Sequence, residues 1–515
     1  MQLNQAYDRV KAIDWEPSYI TKEDRQVEAT RFHLEGLRPV DPFKTFVRDY
    51  IETEHEKENR HYAILEASSR LSSGAPEARW MEAMKFGLAN LVGVEYMAAR
   101  QMGRMARSVA PMELRQGYMM QMLDEMRHSN LEMNVIRHHM RSWRDPSGYD
   151  IAAKAAGNNV GAGIFRSMAE DLMTSDPVET SLGLQVFIET AYSNVFFVGL
   201  SSAAAAQGDN VLTSTMLTIQ SDEARHMANG WATLTTLIQD DRNIPLIQDA
   251  LEKWSWRTHV SFGLGNMLFA DYFVKNRTES AKEQSMRWVF DEFYGGFYQK
   301  LEKYGIEQPR YLETMMSDLD WMSHTAAVYM FGAWPVFFHR MDPLTDQDIE
   351  WFEKKYPGFD RYFGPFWRAY GKCKNPADRA LVLKELGGLP NFCEVCQRPL
   401  IFPRPDISSG RTISLGGQDH VLCSDGCEDI YRADPTHYAG SKSFYDLYEG
   451  QDMSDVVRTL GYVRSDGKTL MAQPELDGKR LWTLDDVRAC NFEIIRPAKP
   501  PLIDRTGAPI SAFQR

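Results

Sequence analysis

The chain has 515 residues, 43% hydrophobic and 25% charged, which fits an ordered globular protein of two to four domains or one large core with an appended module. A formal net charge of -13, without a long basic stripe, offers no general attraction to phosphate backbones and argues against a nucleic-acid partner. No run of eighteen apolar residues exists, the nearest being NVFFVGLSSAAAA, and MQLNQAYDRVKAIDWEP lacks the apolar centre of a secretion signal, so a cytoplasmic chain outside the membrane is expected.

Residues 1–76 read as an N-terminal arm and first helices. Within them TEHEKENRH sets Glu52 three before His55 and Glu58 three before His61, but so charged a run reads as a solvated helix face, and these pairs are expected to be decoys. From 77 to 340 apolar residues recur every three or four positions, the pattern of a helical bundle. Asp176 and Pro177 form an N-cap and first-turn proline that open a segment running to Gly208, after which Asp209 or Asn210 caps the next helix. Long helices joined by such short turns pack antiparallel. Residues 341–390 read as a helical connector ending at the breaker GGLPN. Between 391 and 465 short β-like runs, RTISL and HVLC, alternate with turns, and the Pro-rich 466–515 reads as an extended arm lying over a partner or the body.

One pattern occurs twice, LDEMRHSN at 123–130 and SDEARHMA at 221–228. Residues three apart share a helix face, so Glu125 with His128, and Glu223 with His226, can each hold a metal ion. A dinuclear carboxylate site needs one further Glu from each of two other helices. Glu95 in FGLANLVGVEYMAARQMG and Glu189 in QVFIETAYSNVFF are lone acids on apolar helical faces, where a carboxylate is costly without a metal or a hydrogen-bond partner. They precede the two Glu-x-x-His pairs by 30 and 34 residues, giving two similar half-sites. Four carboxylates and two neutral imidazoles balance two divalent cations, and oxygen-rich ligation with one imidazole per metal suits iron or manganese. Asp124 and Asp222 are placed to accept from the free imidazole N–H groups, on their own helix or the opposite one, and Arg127 and Arg225 to pair with them. Further on, Cys393-x-x-Cys396 and Cys423-x-x-x-Cys427 have the spacing of a closed tetrahedral thiolate zinc site. His420 is then a bystander, and Cys373 and Cys490 are unpaired thiols.

These motifs resemble the large (α) hydroxylase subunit of bacterial multicomponent soluble diiron monooxygenases, the family of methane, toluene, phenol, alkene and propane monooxygenases, and the resemblance covers nearly the whole chain. It implies a mainly α protein, a ferritin-like diiron bundle over 77–340, with FCEVCQRPL and HVLCSDGCEDIYRADPTHY resembling a small zinc-binding YHS or TRASH module. The family's iron ligands fall on Glu95, Glu125, His128, Glu189, Glu223 and His226. Its hydroxyl residue, usually Thr, falls on Ser193, which keeps the hydroxyl and loses the methyl, and its polar positions near the site fall on Asn194 and Gln220. Leu91, Ala98, Ile188 and Phe197 are implied to line an apolar substrate pocket, although an apolar helix stripe also fits ordinary core.

The implied activity is O2-dependent hydroxylation of a small hydrocarbon, with two Fe and one structural Zn on this chain. No strand-borne Gly-x-Gly-x-x-Gly is present, so electrons are expected from another protein, and the resemblance implies a separate reductase carrying NADH, FAD and a 2Fe-2S centre. The other implied partners are β and γ subunits in an (αβγ)2 assembly and a small regulatory protein. CEVCQ and CSDGCEDI look like phenol hydroxylases, whereas LGYVRSDGKTLMAQPEL and WTLDDVR look like propane- or acetone-oxidising relatives, and the propane-type branch is favoured. An acyl desaturase, another diiron bundle, and a ferritin-like iron store are the alternatives from other classes; the cysteine module and the chain length argue against both.

Overall fold

The computed structural model describes residues 30–40, 46–69, 76–109, 111–142, 162–274, 277–333, 343–400, 410–438, 442–470, 480–500 and 502. Most of the N-terminal arm and the end of the C-terminal arm lie outside the described residues. The rest is mainly helical. Helices α1 (Val47–Ser69), α2 (Ala78–Ser108), α3 (Met112–Ser142) and α4 (Gly163–Thr174) come first. A continuous helix, α5, is assembled from Pro177–Ser181, Leu182–Tyr192, Asn194–Val198 and Gly199–Ala206. Helix α6 (Asn210–Leu237) follows, and then α7, which runs through Ile244–Thr258, His259–Gly263 and Leu264–Tyr272.

Local chemistry sets these boundaries. The Asp176 carboxylate accepts from the backbone N–H groups of Val178 and Glu179, with Pro177 at the first helical position, and it also accepts from Thr30 Oγ1 and the N–H of Arg31. At the other end of α5 the chain reverses through Gly208 at φ +74°, a left-handed conformation that costs glycine little, and Asp209, not Asn210, caps α6 by accepting from Leu212 N–H. One feature is absent from the apolar periodicity: Leu182–Tyr192 and Asn194–Val198 are π-helical, so most of the middle of α5 turns more slowly than an α-helix.

Helices α2, α3, α5 and α6 pack together as a four-helix bundle, and α1 lies across the α3–α6 pair. Small residues let the helices approach. A Cβ on Gly183 would stand 2.5 Å from the Trp254 ring of α7, and one on Gly230 would stand 2.4 Å from Gln185 Cβ. The charged run in α1, expected to be solvated, is only partly so. Glu52 and His55 are exposed, but Tyr50, Glu54 and His61 are buried against the bundle, because positions 50, 54, 57 and 61 fall on one helical stripe facing α3 and α6.

Downstream, helices including Asp346–Lys355 and Pro376–Glu385 lead to a two-stranded antiparallel hairpin, β1 (Arg411–Leu415) and β2 (Gln418–Leu422). Its two-residue turn, Gly416-Gly417, has φ of +61° and +82°, the left-handed pair that a tight hairpin needs. Helix α8 (Asp425–Ala433) follows and docks on α7, where Trp256 Nε1 donates to Cys427 Sγ at 3.4 Å and a Cβ on Gly426 would strike the Trp256 ring. Arg257 of α7 bonds Asp171 of α4 at 2.8 Å, and Asp171 also accepts from Tyr438 at 3.1 Å. Of the expected extended arm, 484–488 is helical, 492–494 pairs with 450–453, and only the end reaches the hairpin, with Thr412 Oγ1 donating to the Pro500 carbonyl and Lys499 Nζ to that of Asp419, while Asn391 Nδ2 donates to that of Ala498.

Gly183→Ala is expected to destabilise the protein by about 1 to 3 kcal/mol through overpacking against Trp254. Gly93→Ala, in the same bundle but with nothing within 4 Å of the new Cβ, is expected to be neutral or to stabilise by up to about 1 kcal/mol through helix propensity. Denaturant melts of the two variants check the pair.

Candidate metal centre

Helices α2, α3, α5 and α6 each turn one stripe toward the bundle axis, and the six sequence-predicted ligands meet there. His128 Nδ1 lies 3.3 Å from Glu125 Oε2, 3.6 Å from Glu95 Oε2 and 3.8 Å from Glu223 Oε1. His226 Nδ1 lies 3.6 Å from Glu125 Oε1, from Glu189 Oε1 and from Glu223 Oε1. Glu95 therefore stands with His128, Glu189 stands with His226, and Glu125 and Glu223 lie between the two imidazoles. All six are buried.

The donor set fits metal ions better than it fits itself. His128 Nδ1, His226 Nδ1 and Glu189 Oε2 are buried without a hydrogen-bond partner, and both Nδ1 atoms face this cluster. Separations of 3.3 to 3.8 Å are close to those of neighbouring ligands that share an ion at about 2.1 Å. Without cations the charges conflict. Burial pushes the Glu125 and Glu223 carboxyls up and carries Glu189 up to about 8, while the surrounding carboxylates hold both imidazoles well above the usual histidine range against their burial. Two divalent ions would cancel four carboxylates and leave the imidazoles neutral.

The question of which Asp serves which His has a definite answer. His128 Nε2 bonds Asp222 Oδ2 at 3.1 Å, and His226 Nε2 bonds Asp124 Oδ2 at 3.1 Å, so each Asp orients the imidazole of the opposite helix. That bond commits Nε2 as donor and leaves the Nδ1 lone pair for a metal. Although burial opposes ionisation, the hydrogen bond and charge of His226 hold Asp124 down at about 2, and His128 and Arg127 hold Asp222 lower still. Arg127 bonds Asp222, and Arg225 reaches Asp124 at 2.6 Å and Asp222 at 3.1 Å. Helix α1 completes this layer in a way the sequence reading missed: Glu54 pairs with Arg127 at 2.6 Å and Arg225 at 3.1 Å, Lys57 pairs with Asp222, and Tyr50 donates to Asp124 at 2.8 Å. Three carboxylates thus face three cations behind the imidazoles.

The decoys stay apart from the cluster. His61 approaches Thr215 Oγ1 at 3.4 Å, and burial lowers its pKa to about 4. A further acid also went unread. Glu132, one turn beyond His128, is fully buried with both oxygens unpartnered, and burial followed by the charge of Glu95 pushes its carboxyl well above the usual range.

Beside the six side chains lies a small cavity of about 50 Å³ whose wall includes Leu91, Ala98, Ile188 and Phe197 together with Ser193, Tyr192, Phe196 and Phe262. Ile188 and Phe197 are nine residues apart, which in an α-helix at about 100° per residue sets them on opposite faces. The π-helical turns of α5 bring them to one wall, where Leu184, Ile188, Tyr192 and Phe196, and again Glu189, Ser193 and Phe197, recur at steps of four. Gln220 Nε2 donates to Asn194 Oδ1 at 3.0 Å, next to Ser193.

The four cysteine sulfurs of the second predicted site lie within 4.8 Å of one another, all buried and none in a disulfide. Cys396 to Cys423 is 3.6 Å and Cys423 to Cys427 is 3.4 Å, near the edge of about 3.7 Å of a tetrahedron with 2.3 Å bonds. His420 turns to Glu394 at 2.8 Å and Tyr431 at 2.9 Å.

Residues 15–241 match the family described as Methane/Phenol/Alkene Hydroxylase. The chain is 34% identical to the propane 2-monooxygenase hydroxylase large subunit of Gordonia sp. (strain TY-5), covering 95% of this chain and 93% of that one. It is 31% identical to the methane monooxygenase component A alpha chain of Methylococcus capsulatus (strain ATCC 33009 / NCIMB 11132 / Bath), covering 93% and 92%. The crystal structure of xenon-pressurized phenol hydroxylase from Pseudomonas sp. OX1 superposes with a TM-score of 0.71 at 25% identity, over 87% of this chain and 91% of that one.

Metal analysis of the purified protein is expected to give about two iron atoms per chain. Glu125→Ala should lose most of the iron and Glu58→Ala none, whereas Cys393→Ser should lose zinc and keep iron; equal iron losses from both Glu variants would mean that the wrong pairs had been chosen.

Proposed function

The chain belongs to the methane, phenol and alkene hydroxylase family, and on that premise we propose that it is the large catalytic subunit of a multicomponent diiron monooxygenase that hydroxylates a small apolar substrate of the propane class. The observation that carries this reading is the six-residue cluster with crossed Asp–imidazole pairs opening on an apolar cavity. Glu95, Glu125, His128, Glu189, Glu223 and His226 would hold two irons, with Glu95 on the His128 side, Glu189 on the His226 side and Glu125 and Glu223 near both imidazoles. When bound, the iron pair supplies the two-electron activation of O2.

The protein's own residues do the rest. The cavity wall presents no charged side chain apart from the ligands themselves, so an alkane is held by shape and water is excluded. Ser193, in the wall beside Glu189 and Glu223, holds or passes a proton through Oγ, and the Asn194–Gln220 pair extends the polar line behind it, with Gln220 Oε1 free to accept. The four cysteines would hold a structural zinc that ties the 393–396 turn to the end of the hairpin and to α8. Electrons come from NADH through a separate FAD and 2Fe-2S reductase, and the chain works with β and γ subunits in an (αβγ)2 assembly and with a small regulatory protein.

The propane reading rests on the likeness to propane 2-monooxygenase large subunits along almost the whole chain, cysteine segment included, which sets it above an acyl desaturase or an iron store. A phenol substrate is the second reading. Tyr192, Phe196, Phe197 and Phe262 give the wall aromatic faces, and the superposing structure is a phenol hydroxylase.

Coexpressed with these partners, the chain is expected to couple NADH consumption to propane oxidation. Ser193→Ala should lower coupled turnover by about 10- to 100-fold, as for a lost proton-handling group, while Ser193→Thr should retain it. Phenol outpacing propane in the same assay would transfer the assignment to the second reading.

A further inference from the structure

Behind the metal cluster runs a chain of buried side chains whose hydrogen-bond directions are forced from the carboxylates as far as Ser181. Carboxylate oxygens only accept, so the Gln121 side chain must present its N–H2 group to them, and Nε2 donates to Glu189 Oε1 at 2.6 Å and Glu125 Oε1 at 3.0 Å. Gln121 Oε1 then faces away and accepts from Gln185 Nε2 at 2.5 Å. Gln185 Oε1 in turn accepts from Ser181 Oγ at 2.5 Å. Tyr118 stands 3.2 Å from Ser181 Oγ and bonds Thr233, whose hydroxyl donates to the Asn229 carbonyl. Gln121, Gln185, Ser181, Tyr118 and Thr233 are all buried. The close passage of α6 at Gly230, where a Cβ would stand 2.4 Å from Gln185 Cβ, fixes Gln185 in place.

We propose that Gln121 is a positioning residue for the dinuclear site, a neutral double donor that ties one oxygen of Glu189 and one of Glu125 together and is itself locked in orientation by Gln185 and Ser181. The consequence is visible at Glu189: Oε1, the oxygen 3.6 Å from His226 Nδ1, is held by Gln121, while Oε2 is buried without a hydrogen-bond partner. A carboxylate tethered by one oxygen keeps its bearing when its other oxygen changes ligation, and a neutral amide does so without adding charge to a site already carrying four carboxylates. Gln121 lies outside the cavity wall, so it acts through the ligands and does not touch substrate. On helix α3 it sits one turn before Glu125, at the start of the stripe 121, 125, 128, 132.

The inference rests on the dinuclear iron reading, and its test separates the two. The full hydroxylase assembly is prepared with parent, Gln121→Leu and Ser181→Ala large subunits, and Fe(II) affinity is measured by competition with a chromophoric chelator alongside the Mössbauer spectrum of the loaded protein and its thermal melt. The parent must take up about two irons per chain, and its failure to do so would sink the dinuclear reading itself. Gln121→Leu is expected to weaken Fe(II) binding by about 10- to 100-fold, the usual effect of losing a group that orients a ligand, and to change the quadrupole splitting of one iron more than the other. Ser181→Ala, remote from the metals, should shift the same quantities in the same direction by less. If Gln121→Leu does not assemble, Ser181→Ala alone decides. Affinity and spectrum equal to the parent, with at most a lowered melting temperature, would show that the chain is only structural and overturn the proposal.

Discussion

Four carboxylates and two imidazoles sit together in a region from which water is excluded, and that charge constraint organises the molecule around it. An isolated buried carboxylate is costly, and four together are tolerable only with cations among them or with protons taken up. The upward shift of Glu189 and the upward shifts of both imidazoles express the same demand from opposite sides. Helix lengths, the close approach at Gly230 and the layer of Asp and Arg residues all serve to bring these groups together and keep them there.

The Asp residues work at the next remove. Because each binds the imidazole carried by the opposite helix, α3 and α6 cannot slide or rotate past one another without breaking both pairs. The same crossing fixes both tautomers, so ligand geometry and helix register are one property. Helix α1 then lends Glu54, Lys57 and Tyr50, making the layer charge-balanced, and covers it from the outside.

Much of this was legible in the residues, and the exceptions have physical reasons. Asp-Glu-x-x-His repeats announce themselves because three-residue spacing on a helix is a local property, and Glu95 and Glu189 stand out because their neighbours are apolar. The Asp176 cap and the Gly208 reversal are also local. Which Asp meets which His is set by how two helices pack, so no spacing within either helix could settle it. The π-helical turns of α5 escaped notice because apolar periodicity is read at 3.6 residues per turn, and Ile188 and Phe197 share a wall only through the slower turn. The stripe of Tyr50, Glu54, Lys57 and His61 was readable at helical spacing but was masked by the exposed charges interleaved with it. Gln121 and Glu132 carry no signal until the helices are assembled.

The central claim is that two metals sit side by side between the Nδ1 atoms of His128 and His226. An anomalous-scattering map of crystals loaded with Fe(II), collected on both sides of the iron absorption edge, tests it directly. The account predicts two iron peaks about 3 to 4 Å apart, one beside Glu95 and the other beside Glu189, with Glu125 and Glu223 between them. A single peak, or iron held instead among Glu54, Asp124 and Asp222, would contradict it.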